Sequence, residues 1–412
     1  MQIPKSLPEF YTGSPVDAPD LRYRSAFLDD LWDTLEAKHV LLTAPRRTGK
    51  TSIMDHLRAF PKSGYAVVYE NVQDLDHPAE FFAALLSRFY DEHPKVFRDT
   101  LGKSWDLVKI ALGKIKEIGI SEFKVALRES DPDWRAKWKL HGERFLQQVR
   151  KHDTPILLIV DELPDMLLNL KGGDPELLRE FLAWFRTQRQ NPKPKQDKVR
   201  WLIGGSVNLS STLDSVGMVD LINDLEDVPL PVLTVEEVMD FVSTMLTERG
   251  VGLDPGVPAR LAARLGRPIP LFMQMITQDL YRRWKKRERA LGVADVDAAF
   301  ADLVISNAAR DKLQHYYSRI ARYYDGSKVS AAHTLLSRLS LSDGGLSRSR
   351  LLQDFEQILA AEGVAWPAHQ RKQQFNQLLR DLENDFYVAE ITADQFDFAS
   401  GILKSWWKKY YA

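Results

Sequence analysis

Cysteine is absent from this 412-residue chain. That excludes a disulfide framework and any thiolate zinc site, and it is compatible with a reducing compartment. Long hydrophobic runs are lacking as well: nothing approaches the roughly 18 uninterrupted apolar residues of a membrane span. The opening stretch, MQIPKSLPEF, carries no charged-then-apolar signal pattern. The expectation is therefore a cytoplasmic protein with no membrane partner. Nor is there an excess of one charge, since the formal net charge is -1 at pH 7. No global basic field announces a nucleic-acid partner, although a local basic face is still compatible with that balance. The nine histidines show no metal-like pairing. Internal repeats and long low-complexity tracts are also missing.

What is present is length enough for two or three domains, with the composition of a globular protein. From residue 38 short apolar runs alternate with longer amphipathic ones. HVLLTAP, GYAVVYENV, PILLIVDEL and VRWLIGGS read as strands. GKTSIMDHLRAF, PAEFFAALLSRFYDEH, WRAKWKLHGERFLQQVRKH and PELLREFLAWFRTQRQ read as helices between them. Alternation of this kind predicts an α/β fold with a parallel sheet covered on both faces. An insertion near 94–133 interrupts it, and GISEFKVALRE within it alternates Phe123, Val125 and Leu127 as a strand or hairpin would. QNPKPKQDK, residues 190–198, should break a helix. After DVPLPVLT the alternation stops and helices follow. The expected division is a nucleotide domain over 1–232, a helical lid over 233–310 and a winged-helix-like domain over 311–412. The last rests on three helices followed by a hairpin, FYVAEIT and FDFAS.

The stretch APRRTGKTS, Ala44 to Ser52, follows the first strand and opens the first helix of the alternation. It matches GxxxxGK[ST] with alanine in place of the first glycine. In such a loop small residues let backbone N–H groups converge on phosphate oxygens. A lysine neutralises the outer phosphates, a hydroxyl binds magnesium, and the helix N-terminus adds its dipole. Pro45, Arg46, Arg47 and Thr48 fill the variable part; Gly49, Lys50 and Thr51 close it. Alanine at 44 suits the turn provided its φ is negative. The alternative is a basic turn with no ligand. About 110 residues on, PILLIVDE supplies an apolar strand ending in acid. There Asp161 would hold magnesium through water and Glu162 would orient and deprotonate an attacking water. A solvated strand-end acid is the plainer account of Glu162. In WLIGGSVN, Ser206 and Asn208 are placed to sense the γ-phosphate, or else to cap the next helix.

Together these residues resemble the AAA+ and STAND-type P-loop ATPases, in particular the archaeal-type ATPase family also common in bacteria. APRRTGKTS is similar to that family's arginine-arginine loop, LLIVDELPDML to its second motif and IGGSVNL to its sensor strand. DLEDVPLPVLTVEEVMDFV is similar to the segment leading into its helical lid. LGRPIPLFMQMI, residues 265–276, resembles the lid's GxP motif, which implies that Pro268 lies near the base. LRYRSAFLDDL resembles the N-terminal arginine motif, with Arg24 on its arginine. Tyr23 stands where a glycine is usual and Ser25 where an acid is usual. The resemblance runs over nearly the whole chain and implies MgATP as ligand, slow hydrolysis used as a switch, and a possible ATP-dependent homo-oligomer.

Arg46 and Arg47 either add charge to the phosphate cradle, face the lid or C-terminal domain, or are plain surface charge. Arg186 and Arg189 are candidates for a trans-acting arginine. YRRWKKRERA, residues 281–290, is the densest basic run, a DNA contact or a solvated helix end. Residues 370–384 would be the groove-reading helix of a winged helix, offering Arg371, Lys372, Gln373 and Asn376 to DNA, or a protein-docking surface. SWWKKYYA reads as a packed terminal anchor.

Overall fold

The computed structural model describes residues 7, 9–101, 133–190, 197–205, 213, 217–324 and 326–412. The chain forms two compact units, one of Val16–Thr43 and Lys50–Leu230, the other of Met1–Pro15, Ala44–Gly49 and Pro231–Ala412. The phosphate-loop segment 44–49 thus groups with the C-terminal half, although both its flanks belong to the first unit.

The first unit is built on a five-stranded parallel sheet. Its strands are β1 (Val40–Thr43), β2 (Ala66–Asn71), β3 (Ile156–Asp161), β4 (Val199–Gly205) and β5 (Glu226–Pro229), in the order β2-β3-β4-β1-β5. β1, β3 and β4 are buried along their whole lengths, which explains the apolar runs VLL, ILLIV and WLI within them. Helices Lys50–Ala59, Pro78–Glu92, Trp138–Lys151, Leu163–Gly173 and Pro175–Arg189 lie between strands, as the alternation requires. The last starts cleanly because the Asp174 carboxylate accepts the N–H groups of Glu176 and Leu177 and Pro175 follows it. An aromatic core packs these helices together: Phe81 meets Phe181 edge-on at 5.4 Å, and Phe185 meets Trp201 at 4.9 Å. β2 is an outer strand, and side chains occupy its open edge. Glu92 accepts the Tyr69 N–H at 3.3 Å, and the His93 ring is 2.7 Å from the Val67 carbonyl. Helix Pro94–Leu101 begins the region read as an insertion, whose alternating stretch lies outside the described residues.

In the second unit, helices Val235–Thr247, Gly256–Leu265, Pro270–Arg287 and Val293–Ile305 come first. A capping box, Thr234 with Glu237, starts the series. The long helix Asn307–Tyr323 follows. Helices Ser327–Leu341, Arg348–Ala361 and Ala368–Asn384 then combine with β6 (Leu346–Ser347), β7 (Val388–Thr392) and β8 (Gln395–Phe398). Three helices with the antiparallel sheet β6-β8-β7, β6 lying between the first two helices and β7 and β8 following the third, form a winged-helix arrangement. The terminal helix Gly401–Tyr410 buries Trp406 and Trp407, and the Trp407 indole N–H donates to Ser337 Oγ at 3.2 Å. Among the described residues no helix is long and apolar enough to cross a membrane.

Candidate functional site

The chemistry gathers at the carboxyl end of β3. Asp161 is fully buried there. Its carboxylate accepts the Thr51 hydroxyl at 2.8 Å, the Tyr69 hydroxyl at 3.3 Å and the Glu162 N–H at 3.0 Å. The Lys50 ammonium, itself buried, stands 3.9 Å away. Residues roughly 110 positions apart are brought together because the helix Lys50–Ala59 starts where β1 ends, and β3 ends beside it across β4. A buried carboxylate beside a hydroxyl offers hard oxygen donors of the kind that suit Mg2+, with the Lys50 ammonium as a neighbouring charge and not a ligand. Glu162 follows with φ +57, a left-handed conformation unusual for a non-glycine residue. Burial first, and then the neighbouring Asp161 carboxylate, push the Tyr69 phenol well above its usual range, so it stays a donor.

Two residues of this cluster escape motif reading. Tyr69 comes from β2, whose register sets Tyr69 opposite Ile159 and Asn71 opposite Asp161. Gly204 comes from β4, one residue past the Val160–Ile203 pair. A methyl group at Gly204 would collide with Asp161 Oδ1 and stand 2.7 Å from Met54 Cε.

Within the phosphate loop Arg47 takes φ +65 and Gly49 φ +101, while Thr48 between them does not have positive φ. Such alternation turns successive N–H groups towards one concavity, the backbone arrangement that holds anions. A methyl group built on Gly49 would meet nothing within 4 Å, so its φ, and not crowding, requires glycine. Thr48 Oγ1 staples the loop by donating to the Pro45 carbonyl at 2.6 Å. Ala44 is buried with φ outside the positive range, so alanine meets the condition set for it.

The remaining expected site residues are dispersed. Ser52 Oγ accepts the Val16 N–H at 2.9 Å, and the His56 ring lies 2.9 Å from the Ala18 carbonyl, so both pin the N-terminal segment to the helix Lys50–Ala59. Arg24 is buried at the start of the helix Ser25–Ala37, and Tyr23 before it has φ +59, the conformation that a glycine adopts freely. Pro268 is half-buried in the second unit. The preceding Gly266 has φ +70 and lies so close to the Ala399 carbonyl, which accepts the Arg267 N–H at 2.8 Å, that a side chain would clash. Ser206 and Asn208 lie outside the described residues. Arg189 is unsuited to the trans-acting role considered for it: both its Nε and Nη2 donate to Asp224 at 2.8 Å, and its side chain is sealed from solvent. Arg186 pairs with Asp220 at 3.3 Å.

No family model matches the chain, and no curated protein matches it. Among solved structures it is similar to a Walker-type ATPase of Pyrococcus abyssi, with TM-score 0.58 and 15% identity, covering 96% of this chain and 98% of that one. The Aeropyrum pernix ORC2 protein, solved as ADPNP-ADP complexes, gives TM-score 0.49 at 13% identity over 92% and 91% of the two chains. The fold, a five-stranded parallel sheet with helices and a helical C-terminal region, is the fold of that Walker-type ATPase. In particular, nearly the whole chain follows the course of the Pyrococcus Walker-type ATPase.

Proposed function

We propose that this chain is an ATP-binding, slowly hydrolysing switch. The observation that carries the reading is the Thr51–Asp161–Lys50 cluster, hydroxyl, carboxylate and ammonium within 4 Å at the end of a phosphate loop. The loop N–H groups cradle the phosphates, and Lys50 neutralises charge on the outer ones. Thr51 and Asp161 would hold Mg2+, which would supply Lewis-acid charge there. Glu162 orients a water and takes its proton as the water oxygen attacks the γ-phosphorus; the bond to the β–γ bridging oxygen breaks and ADP leaves. Ser206 or Asn208 senses the γ-phosphate, Arg24 contributes from the N-terminal motif, and Pro268 packs near adenine. Glu162→Gln is expected to keep nucleotide affinity and lose hydrolysis by at least about 100-fold. A rate equal to that of the unaltered protein sinks the catalytic assignment.

The output is contact of the winged helix with DNA, or with a protein partner in an ATP-set oligomer. Charge pairing favours the second reading. Arg371 donates to Glu356 at 3.0 Å and to the Trp366 carbonyl at 2.7 Å, and Asn376 accepts from Arg348 at 2.9 Å. In the run 281–290, Arg283 pairs with Asp279 and Asp302, and Arg287 and Arg289 both pair with Asp295. Exposed Lys372 and Gln373, with exposed Arg282, Lys285 and Lys286 of the basic run, remain for DNA. A salt titration of duplex binding separates the two: steep loss of affinity with salt, reduced by Lys372→Ala, supports DNA, and no binding at low salt removes it. Mass measurement with and without ATP tests the oligomer.

A further inference from the structure

The helix Ser25–Ala37 carries Asp29, Asp30, Asp33 and Glu36 and no basic residue. Asp29 and Asp33 stand one turn apart on it, and so do Leu28 and Trp32, so an acidic stripe runs beside an apolar one. The helix Lys50–Ala59 runs out into Phe60, a large apolar side chain that is 49% exposed. Between the two helices lies a groove of about 580 Å³, lined by the buried Leu28 and Trp32, by Phe60 and His56, and by Asp29 and Asp33. Every residue that lines it belongs to the first unit.

The groove is braced by its own neighbours. The Trp32 ring packs against Tyr65 with centroids 5.2 Å apart, and the His56 ring stands 4.9 Å from Phe60. His56 Nδ1 faces the Ala18 carbonyl at 2.9 Å and must donate to it, so in the neutral ring Nε2 is an acceptor. Charge around the groove is one-sided. The Lys62 ammonium at its edge is already engaged, 2.7 Å from Glu36 and 3.5 Å from Asp33. Asp29 is exposed and, among the described residues, forms no ion pair. A phosphate backbone or an anionic lipid surface would meet this stripe as like charge, so neither suits the groove. An apolar floor, an exposed aromatic and an acidic rim suit a protein segment that presents a large apolar side chain with a lysine or arginine close by.

We propose that this groove docks a partner protein, seating an apolar side chain on Leu28, Trp32 and Phe60 and setting a cationic one against Asp29 and Asp33. This rests on the protein-partner reading above and places the contact on the first unit instead of the winged helix. It uses the far end of the helix that begins with Lys50 and Thr51, and it does not depend on the nucleotide reading.

Panning a random linear peptide library on the full chain tests it. Labelled synthetic copies of the enriched sequences are then titrated by fluorescence anisotropy against the unaltered chain, Phe60→Ser, Asp29→Lys, Asp29→Asn and Glu362→Lys. Phe60, Asp29 and Glu362 are all exposed, and thermal unfolding checks that each variant keeps its fold. The enriched sequences are expected to pair a large apolar residue with lysine or arginine. Phe60→Ser and Asp29→Lys should weaken binding at least about tenfold, and Asp29→Asn about two- to fivefold, the scale of one exposed ion pair. Glu362→Lys makes the same change of charge in the other unit and should stay within about twofold. Peptides that bind Phe60→Ser and Asp29→Lys as tightly as the unaltered chain, or that are acidic, overturn the proposal and leave the protein-partner reading standing. A library that yields no binder overturns both. An unaltered chain that is dimeric, with Phe60→Ser monomeric, puts a second copy in the groove and overturns the assignment to a partner.

Discussion

Replacing Gly204 by alanine perturbs the site without removing any chemical group from it. The added methyl would overlap Asp161 Oδ1, stand 2.7 Å from Met54 Cε and 3.2 Å from Asp161 Cα. Met54 ends in a flexible thioether and can yield, but Asp161 is held by Thr51, Tyr69 and its own neighbour's N–H. Restoring ordinary contact moves the carboxylate by roughly 1 Å, and overpacking of this kind costs about 1–3 kcal/mol. A displacement of that size at the group meant to hold magnesium is expected to lower hydrolysis by about 100-fold. Urea unfolding gives the stability change. Nucleotide titration with and without Mg2+ gives the functional one: the unaltered protein gains affinity from Mg2+ and the variant gains little. A Gly204→Ala protein of unchanged stability and unchanged Mg2+ dependence would refute the claim that Asp161 holds the metal in this geometry.

Three further outcomes follow from the first unit. Asp224→Ala strands the sealed Arg189 guanidinium and should destabilise by about 3–5 kcal/mol in urea unfolding; a change below about 1 kcal/mol contradicts a buried pair. Tyr69→Phe removes one donor to Asp161 and should cost about 1 kcal/mol of stability while nucleotide affinity stays within about threefold, because Thr51 still holds the carboxylate. Burial, and then Arg200, depress His39 to about 4. Its neutral ring accepts the Trp201 N–H and donates to the Arg189 carbonyl. The folded value lies below the unfolded one, so the unfolded chain takes up the proton first. Stability contributed by neutral His39 is therefore complete above pH 6.5 and declines towards pH 4 by up to about 3 kcal/mol, and His39→Gln should flatten that part of the profile.

The parallel sheet was legible because its inner strands are buried on both faces, so ILLIV and VLL run apolar without a break. Glu226–Pro229 escaped because an outer strand of four largely exposed residues shows no such run. The helix Leu163–Gly173 begins directly after the acidic strand, and no polar spacer marks its start. The helix Asn307–Tyr323 went unread for a different reason. Its buried face is made of Tyr316, Arg319 and Ile320 as much as Leu313, so hydrophobic periodicity is weak. That Lys50, Thr51 and Asp161 stand close together was legible because the loop and strand motifs that carry them have set residue types and spacing. Tyr69 and Gly204 were not, because they reach Asp161 through strand register, which no local pattern carries.

The central claim is that the loop Ala44–Gly49 with Lys50 and Thr51 holds a nucleotide. Equilibrium titration of the chain with ATP and Mg2+, set beside Lys50→Ala, tests it most directly. Lys50 is buried 3.9 Å from Asp161, so removing its ammonium takes away the charge meant for the outer phosphates. The account predicts saturable binding by the unaltered protein and a loss of at least about 100-fold in the variant, the worth of a buried charge-assisted contact. Equal affinity in the two proteins contradicts it.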